Sequence, residues 1–202
     1  MKTHYIQISG GIATGKTTLA NCLSAAGIPA IFENFRSNPF WEAFYLDPVG
    51  NAFETEITFL LQHFHQVKTA LASGLDFICD FSFILDRAYS EVTLDDNARQ
   101  VFAAVYEEAL KRVPSPELLV HLYCDVDIQL QRIRQRGRKQ EKAISHDYLS
   151  ELDRALEINI DRWAKSLPVI RLDSGQVDFA HNPATKKAIS EQILSALNTR
   201  KT

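Results

Sequence analysis

The chain has 202 residues, 46% of them hydrophobic and 23% charged, with a formal net charge of -3. That length suits one α/β domain spanning 1–202 with a substantial core, and the slightly acidic balance gives no basic field to attract nucleic acid. Cys22, Cys79 and Cys124 are odd in number and far apart, which excludes a disulfide framework or a CxxC metal pair; with no apolar run near membrane length and no room for a signal peptide, a cytoplasmic protein is expected.

Tyr5 to Ile8 is an apolar strand, and directly behind it comes Gly10-Gly11-Ile12-Ala13-Thr14-Gly15-Lys16-Thr17. This fits G-x-x-x-x-G-K-[ST], the phosphate-binding loop, between a strand and a helix as the loop requires. The glycines let successive N–H groups point inward at a polyphosphate, and the helix N-terminus, with Thr18 in its first turn, adds partial positive charge. Lys16 offers a full charge to a transferred phosphate, and the Thr17 hydroxyl can hold Mg²⁺.

Helical spacing runs from Lys16 to Ala26, ended by Gly27. Ile28 to Phe32 reads as a second strand, with Glu33 at its tip, either a ligand acid or a surface loop acid. Asn38-Pro39 introduces a short aromatic helix, Phe40 to Tyr45, closed by Asp47-Pro48. A long helix is predicted from Asn51 to about Ser73, its apolar stripe being Phe53, Ile57, Leu60, Leu61, Phe64, Val67 and Leu71. Glu54, Glu56, His63 and His65 lie on the same helix, where lone polar residues are ordinarily solvated.

Leu75 to Cys79 is a third strand, delivering Asp80 where a Mg²⁺-supporting carboxylate is expected. Helical pattern resumes through the eighties and again from Asp95 to Arg112. Leu118 to Tyr123 is a fourth strand, after which Asp125 or Asp127 is expected to cap a helix over 128–135. Arg132 to Lys142 is the densest cationic run, read as a lid, about 133–145, that closes arginines over phosphates. A helix from Tyr148 to Ala164, a strand from Pro168 to Leu172 and a helix from Lys186 to Leu197 complete the pattern. Alternating strands and helices imply a five-stranded parallel sheet with helices on both faces, a P-loop kinase fold.

Beyond the loop, the chain resembles the bacterial branch of the deoxynucleoside kinases. The matching blocks are Glu33 with Asn38-Pro39 and Phe44-Tyr45, Phe53 through Gln66, Cys79-Asp80-Phe81, and Arg132-Ile133-x-x-Arg136-Gly137-Arg138-x-x-Glu141 followed by Tyr148-Leu149. The resemblance implies that Glu33 is the general base for a nucleoside 5′-hydroxyl attacking ATP, and that Asp80 supports Mg²⁺ with Thr17. It also implies that Tyr45 and Glu141 hold the sugar 3′-hydroxyl, and that Arg132, Arg136 and Arg138 neutralise phosphoryl charge with Lys16. Asp178-Phe179 matches the loop that packs on the donor's adenine, and a homodimer is implied.

Three positions depart from the family pattern. Asp80-Phe81-Ser82 stands where much of the family has an acid followed by Arg-Ser, and a competing register would instead use Asp86-Arg87-Ala88-Tyr89. Glu56 falls where many relatives have Gln, and His63, about two helical turns on, where they have Arg. A carboxylate only accepts hydrogen bonds, which suits the N1–H and N2–H₂ donors of guanine. Glu54 turning inward would be an alternative reader. The expected activity is phosphorylation of a purine deoxynucleoside, deoxyguanosine first and deoxyadenosine next. The alternatives are a kinase of another hydroxylated metabolite and a non-catalytic nucleotide-binding module.

Overall fold

A computed structural model describes residues 3–198. Its centre is β1 (Tyr5–Ser9), which pairs in parallel with β3 (Phe77–Cys79) on one side and β4 (Leu118–Tyr123) on the other. The edges are β2 (Ala30–Ile31) and β5 (Val169–Asp173), giving the order β2-β3-β1-β4-β5 with every pairing parallel. The helices are α1 (Lys16–Ala25), α2 (Trp41–Leu46), α3 (Pro48–Leu71), α4 (Phe83–Thr93), α5 (Asp96–Leu110), α6 (Val126–Arg136), α7 (His146–Trp163) and α8 (Pro183–Asn198).

Strand side chains alternate faces, so one face of the sheet presents Ile6, Ile8, Ile78, Leu118, Val120 and Leu122 to α1 and α8. The opposite face presents Tyr5, Phe77 and Cys79 to α3 and α5, while Leu119 packs with α4 and α7. Both faces are covered, which is why the central strands are apolar at most positions, Gln7 in β1 and His121 in β4 being buried polar exceptions. All three cysteines are buried and free.

Several boundaries shift. The second strand is two residues rather than five, an edge strand paired through Ala30 and Ile31 alone. Asp47-Pro48 ends α2 and also opens α3: the Asp47 side chain accepts from Gly50 N, and Pro48 fills the first helical position, where a missing N–H costs nothing. Leu75 lies outside β3 and is exposed, as are Phe53 and Leu61 on α3, so the inward stripe of that helix is narrower than its apolar spacing suggests. Glu54 and His65 face solvent. Asp125 precedes α6, but its side chain caps nothing, and Asp127 sits inside the first turn. Among the described residues no helix is long and apolar enough to cross a membrane.

Candidate functional site

The loop after β1 curls because its backbone takes values that side chains resist. Gly10 has φ +148° and Gly15 φ +101°, while Ala13 holds a left-handed φ of 62°. A Cβ on Gly10 would sit 2.4 Å from the Leu122 carbonyl oxygen in β4 and 2.6 Å from Thr14 Oγ1. Gly10→Ala is therefore expected to cost roughly 1–3 kcal/mol of stability, read as a lowered Tm. An unchanged Tm would show that the loop relaxes freely.

Within the loop, Lys16 Nζ donates to the carbonyls of Gly10 (2.8 Å) and Gly11 (3.0 Å). Burial lowers the ammonium pKa, offset in part by Glu33 and Asp80. At the tip of β3, Asp80 Oδ2 accepts from Thr17 Oγ1 at 2.9 Å, and Oδ1 accepts from the backbone N–H of Glu33. A strand tip, a helix start and the β2 loop are thereby tied at one point. Hydroxyl and carboxylate oxygens side by side are the hard donors Mg²⁺ takes, and so sparse a protein set suits an ion that keeps waters and substrate phosphate as its other ligands.

Glu33 leads from there into a buried polar cluster between α3 and α4. Its side chain is 34% exposed on the cleft side. Burial pushes the Glu33 pKa up, but His63, Lys16 and Arg138 outweigh it and hold the carboxyl below its ordinary range. His63 is 3% exposed; its Nδ1 lies 2.9 and 3.0 Å from the two oxygens of Asp86, and its Nε2 lies 3.4 Å from Glu33 Oε1. Burial disfavours the imidazolium, yet Asp86 and Glu33 together push its pKa to about 10. Phe81 stacks on the ring at 4.0 Å.

Glu56, two turns earlier on the same face of α3, is 4% exposed. Burial, followed by the charge of Asp86, lifts its pKa to about 8, so at neutral pH it carries a proton. Thr93 Oγ1 lies 2.9 Å from Tyr89 O and 3.2 Å from Glu56 Oε1, and donation to the latter offsets part of the rise. With its proton the acid presents a donor and an acceptor, not the acceptor pair expected of a carboxylate.

Opposite, the basic segment closes on Glu141, 3% exposed in the short 3₁₀ turn Gln140–Ala143. Arg136 donates to Glu141 Oε2 through Nε (3.0 Å) and Nη2 (2.5 Å), and Arg138 donates to Oε1 at 3.0 Å while its guanidinium lies over the Phe35 ring. Gln140 reaches across to Glu42 of α2 at 2.9 Å. Tyr45 stands beside this group, its phenol pKa raised by burial and then by Glu141. Arg132 is committed differently, donating to Ser174 O (2.6 Å), Ser174 Oγ (3.1 Å) and Ala13 O (3.3 Å). Phe179 is buried against α1 with its ring beside Gly15, and exposed Asp178 accepts from Ala180 N and His181 N.

One cleft of about 960 Å³ is lined by the loop from Ala13 to Thr18 together with Glu33, Tyr45, Glu56, Asp80, Arg132, Arg136, Arg138, Glu141, Asp178 and Phe179. Gly10 and Gly11 lie beneath the loop, and His63 stands behind the wall. The competing register fails on position: Asp86 lines the cleft from inside α4, but Arg87 turns to Glu91 and the Tyr106 ring. Sequence reading missed Asp86 as a member of the site, although its acid-arginine signal had been noticed and put to another use. Phe59, Tyr89 and Tyr148, which also line the cleft, looked like ordinary core residues.

Comparison with known proteins follows the same outline. Residues 6–198 match the family model described as deoxynucleoside kinase. The chain is 28% identical to the deoxyguanosine kinase of Bacillus subtilis (strain 168), covering 94% of this chain and 95% of that one. It is 30% identical to a deoxyguanosine kinase of Lactobacillus acidophilus, covering 95% and 90%. A solved structure of deoxyadenosine kinase from M. mycoides with bound dCTP superposes with a TM-score of 0.82 at 21% identity, covering 95% of this chain and 99% of that one.

Proposed function

The chain belongs to the deoxynucleoside kinase family, and from that premise we propose that it transfers the γ-phosphoryl group of ATP to the 5′-hydroxyl of a purine deoxynucleoside, deoxyguanosine or deoxyadenosine, in nucleoside salvage. The observation that carries the reading is that Glu33 shares one cleft with the phosphate loop on one side and Glu56 and Asp86 on the other, its backbone N–H held by Asp80. The loop N–H groups and Lys16 cradle the triphosphate. Across the cleft, Tyr45 and Glu141 position the sugar. The 5′-oxygen forms a bond to the γ-phosphorus as the bond to the β,γ-bridging oxygen breaks, ADP leaves, and the hydroxyl proton passes to Glu33. Phosphoryl transfer is loose and develops charge on the transferred oxygens, so positioned cations matter more than a strong base. A depressed pKa suits Glu33 to that task, since the carboxylate is ionised and ready at neutral pH.

Arg136 and Arg138 supply those cations from a segment, about 133–145, that acts as a lid. Thr17 and Asp80 would hold Mg²⁺, which would neutralise charge on the donor's phosphates when bound. The enzyme acts as a cytoplasmic homodimer, a single domain over 1–202, with nucleosides and nucleotides as its partners rather than nucleic acid or membrane.

Base choice is set by the proton on Glu56. Protonated, it pairs with adenine, donating to N1 and accepting from the N6 amine; ionised, it accepts twice from guanine N1–H and N2–H₂. With deoxyguanosine, deoxyadenosine, deoxycytidine and thymidine assayed with ATP and Mg²⁺, the two purines are expected to be phosphorylated best. The ratio of kcat/KM for deoxyguanosine over deoxyadenosine should climb as pH rises through about 8, because groups serving both substrates cancel in the ratio. Glu56→Gln should flatten that dependence. A panel in which none of the four reacts overturns the proposal; a ratio independent of pH overturns only the role of Glu56.

A further inference from the structure

His63 is buried at 3% exposure, lies outside the cleft wall, and bridges two carboxylates from different segments. Resting on the kinase reading above, we propose that His63 is a positioning residue: an imidazolium clamped by Asp86 that holds the Glu33 carboxylate in line with the attacking hydroxyl. The ring cannot choose another orientation. Nδ1 is engaged by both oxygens of Asp86 at 2.9 and 3.0 Å. Phe81 lies parallel to it, centroids 4.0 Å apart and planes 7° apart, and Phe59 borders it at 5.9 Å.

With those constraints, Nε2 has one direction to point. It is buried and makes no hydrogen bond within the described chain, and it faces Glu33 Oε1 at 3.4 Å, an ion-pair distance that a small closing movement converts to a hydrogen bond. Glu33 needs such a guide because its other anchor is its own backbone N–H on Asp80, which fixes none of the side chain's torsions at the mouth of the cleft. The charges facing the imidazole are Glu33 from the β2 loop, Asp86 from α4 and Glu56 from its own helix α3, and burial makes the last a neutral acid at pH 7. The cation compensates Asp86, which is too buried to stand alone, and reaches Glu33 where that carboxylate meets the cleft.

A base-reading histidine and a base-positioning histidine make opposite predictions for the kinetic constants. His63→Gln keeps the volume and one donor but has no charge and cannot reach both carboxylates. It should lower kcat by roughly 10²-fold through misplacement of Glu33, with the nucleoside KM and the order of preferred bases unchanged. His63→Arg, which restores a cation able to span the pair, should recover most of the loss. In a Glu33→Gln background His63→Gln should add little, since both changes disable one unit.

Asp86→Asn provides the same test where His63→Gln fails to fold, and should also act on kcat. A rise in KM with a changed base order and unchanged kcat would overturn the proposal and make His63 a recognition residue. Full multiplicative effects in the double variant would overturn it as well. If instead Glu33→Gln alone retains the parent rate, the base assignment itself fails, and a parent enzyme inactive on every deoxynucleoside sinks the kinase reading before His63 is reached.

Discussion

Glu33→Gln is expected to lower kcat by roughly 10²–10⁴-fold, with binding of nucleoside and ATP nearly unchanged. The amide matches the carboxylate in shape, so the backbone bond to Asp80 and the surrounding packing persist. What goes is the lone-pair charge that receives the hydroxyl proton. A carboxylate held below its ordinary pKa stays ionised from mild acid upward, so the limb of the parent's pH profile that belongs to Glu33 lies on the acid side, and the glutamine variant should lose that limb. Steady-state kinetics with the best nucleoside of the panel, alongside a binding measurement, settles it. Parent-like turnover in the variant would mean that another group takes the proton.

Lys16→Met should lower kcat by roughly 10²–10³-fold, the loss seen when one fixed charge is removed from a developing oxyanion. Here KM for ATP should rise too, because Lys16 also ties the loop to itself through the Gly10 and Gly11 carbonyls. The nucleoside KM should stay put, the pocket floor being across the cleft. Methionine keeps the apolar stem in place, so a thermal melt near that of the parent separates lost chemistry from lost folding. Should turnover survive, the charge on the transferring group is carried by Arg136 and Arg138 instead. Arg132 is the weaker candidate for that duty, since Ser174 and Ala13 already occupy its donors.

The two arginines that the sequence lacks, at Phe81 and His63, looked like separate departures eighteen positions apart in the chain. In space their replacements are stacked ring on ring.

The amino-acid order alone was enough to reveal whatever depends on near neighbours. Five strands alternating with helices, the glycine turn behind β1, the acids at the tips of β2 and β3, and Gly27 as a helix end all follow from side-chain period and backbone freedom within a few residues. The same local view could not say that Asp47-Pro48 both stops one helix and starts the next, nor that Phe53 and Leu61 would face water. Folding in three dimensions added the rest. His63 and Asp86 meet across two helices, Glu141 is shared by two arginines, and the Glu56 pKa is raised by burial and then by the charge of Asp86. Burial and charge pairing are properties of the assembled interior, and a proton's place depends on that interior, so its position on Glu56 could emerge only after the helices had closed around it.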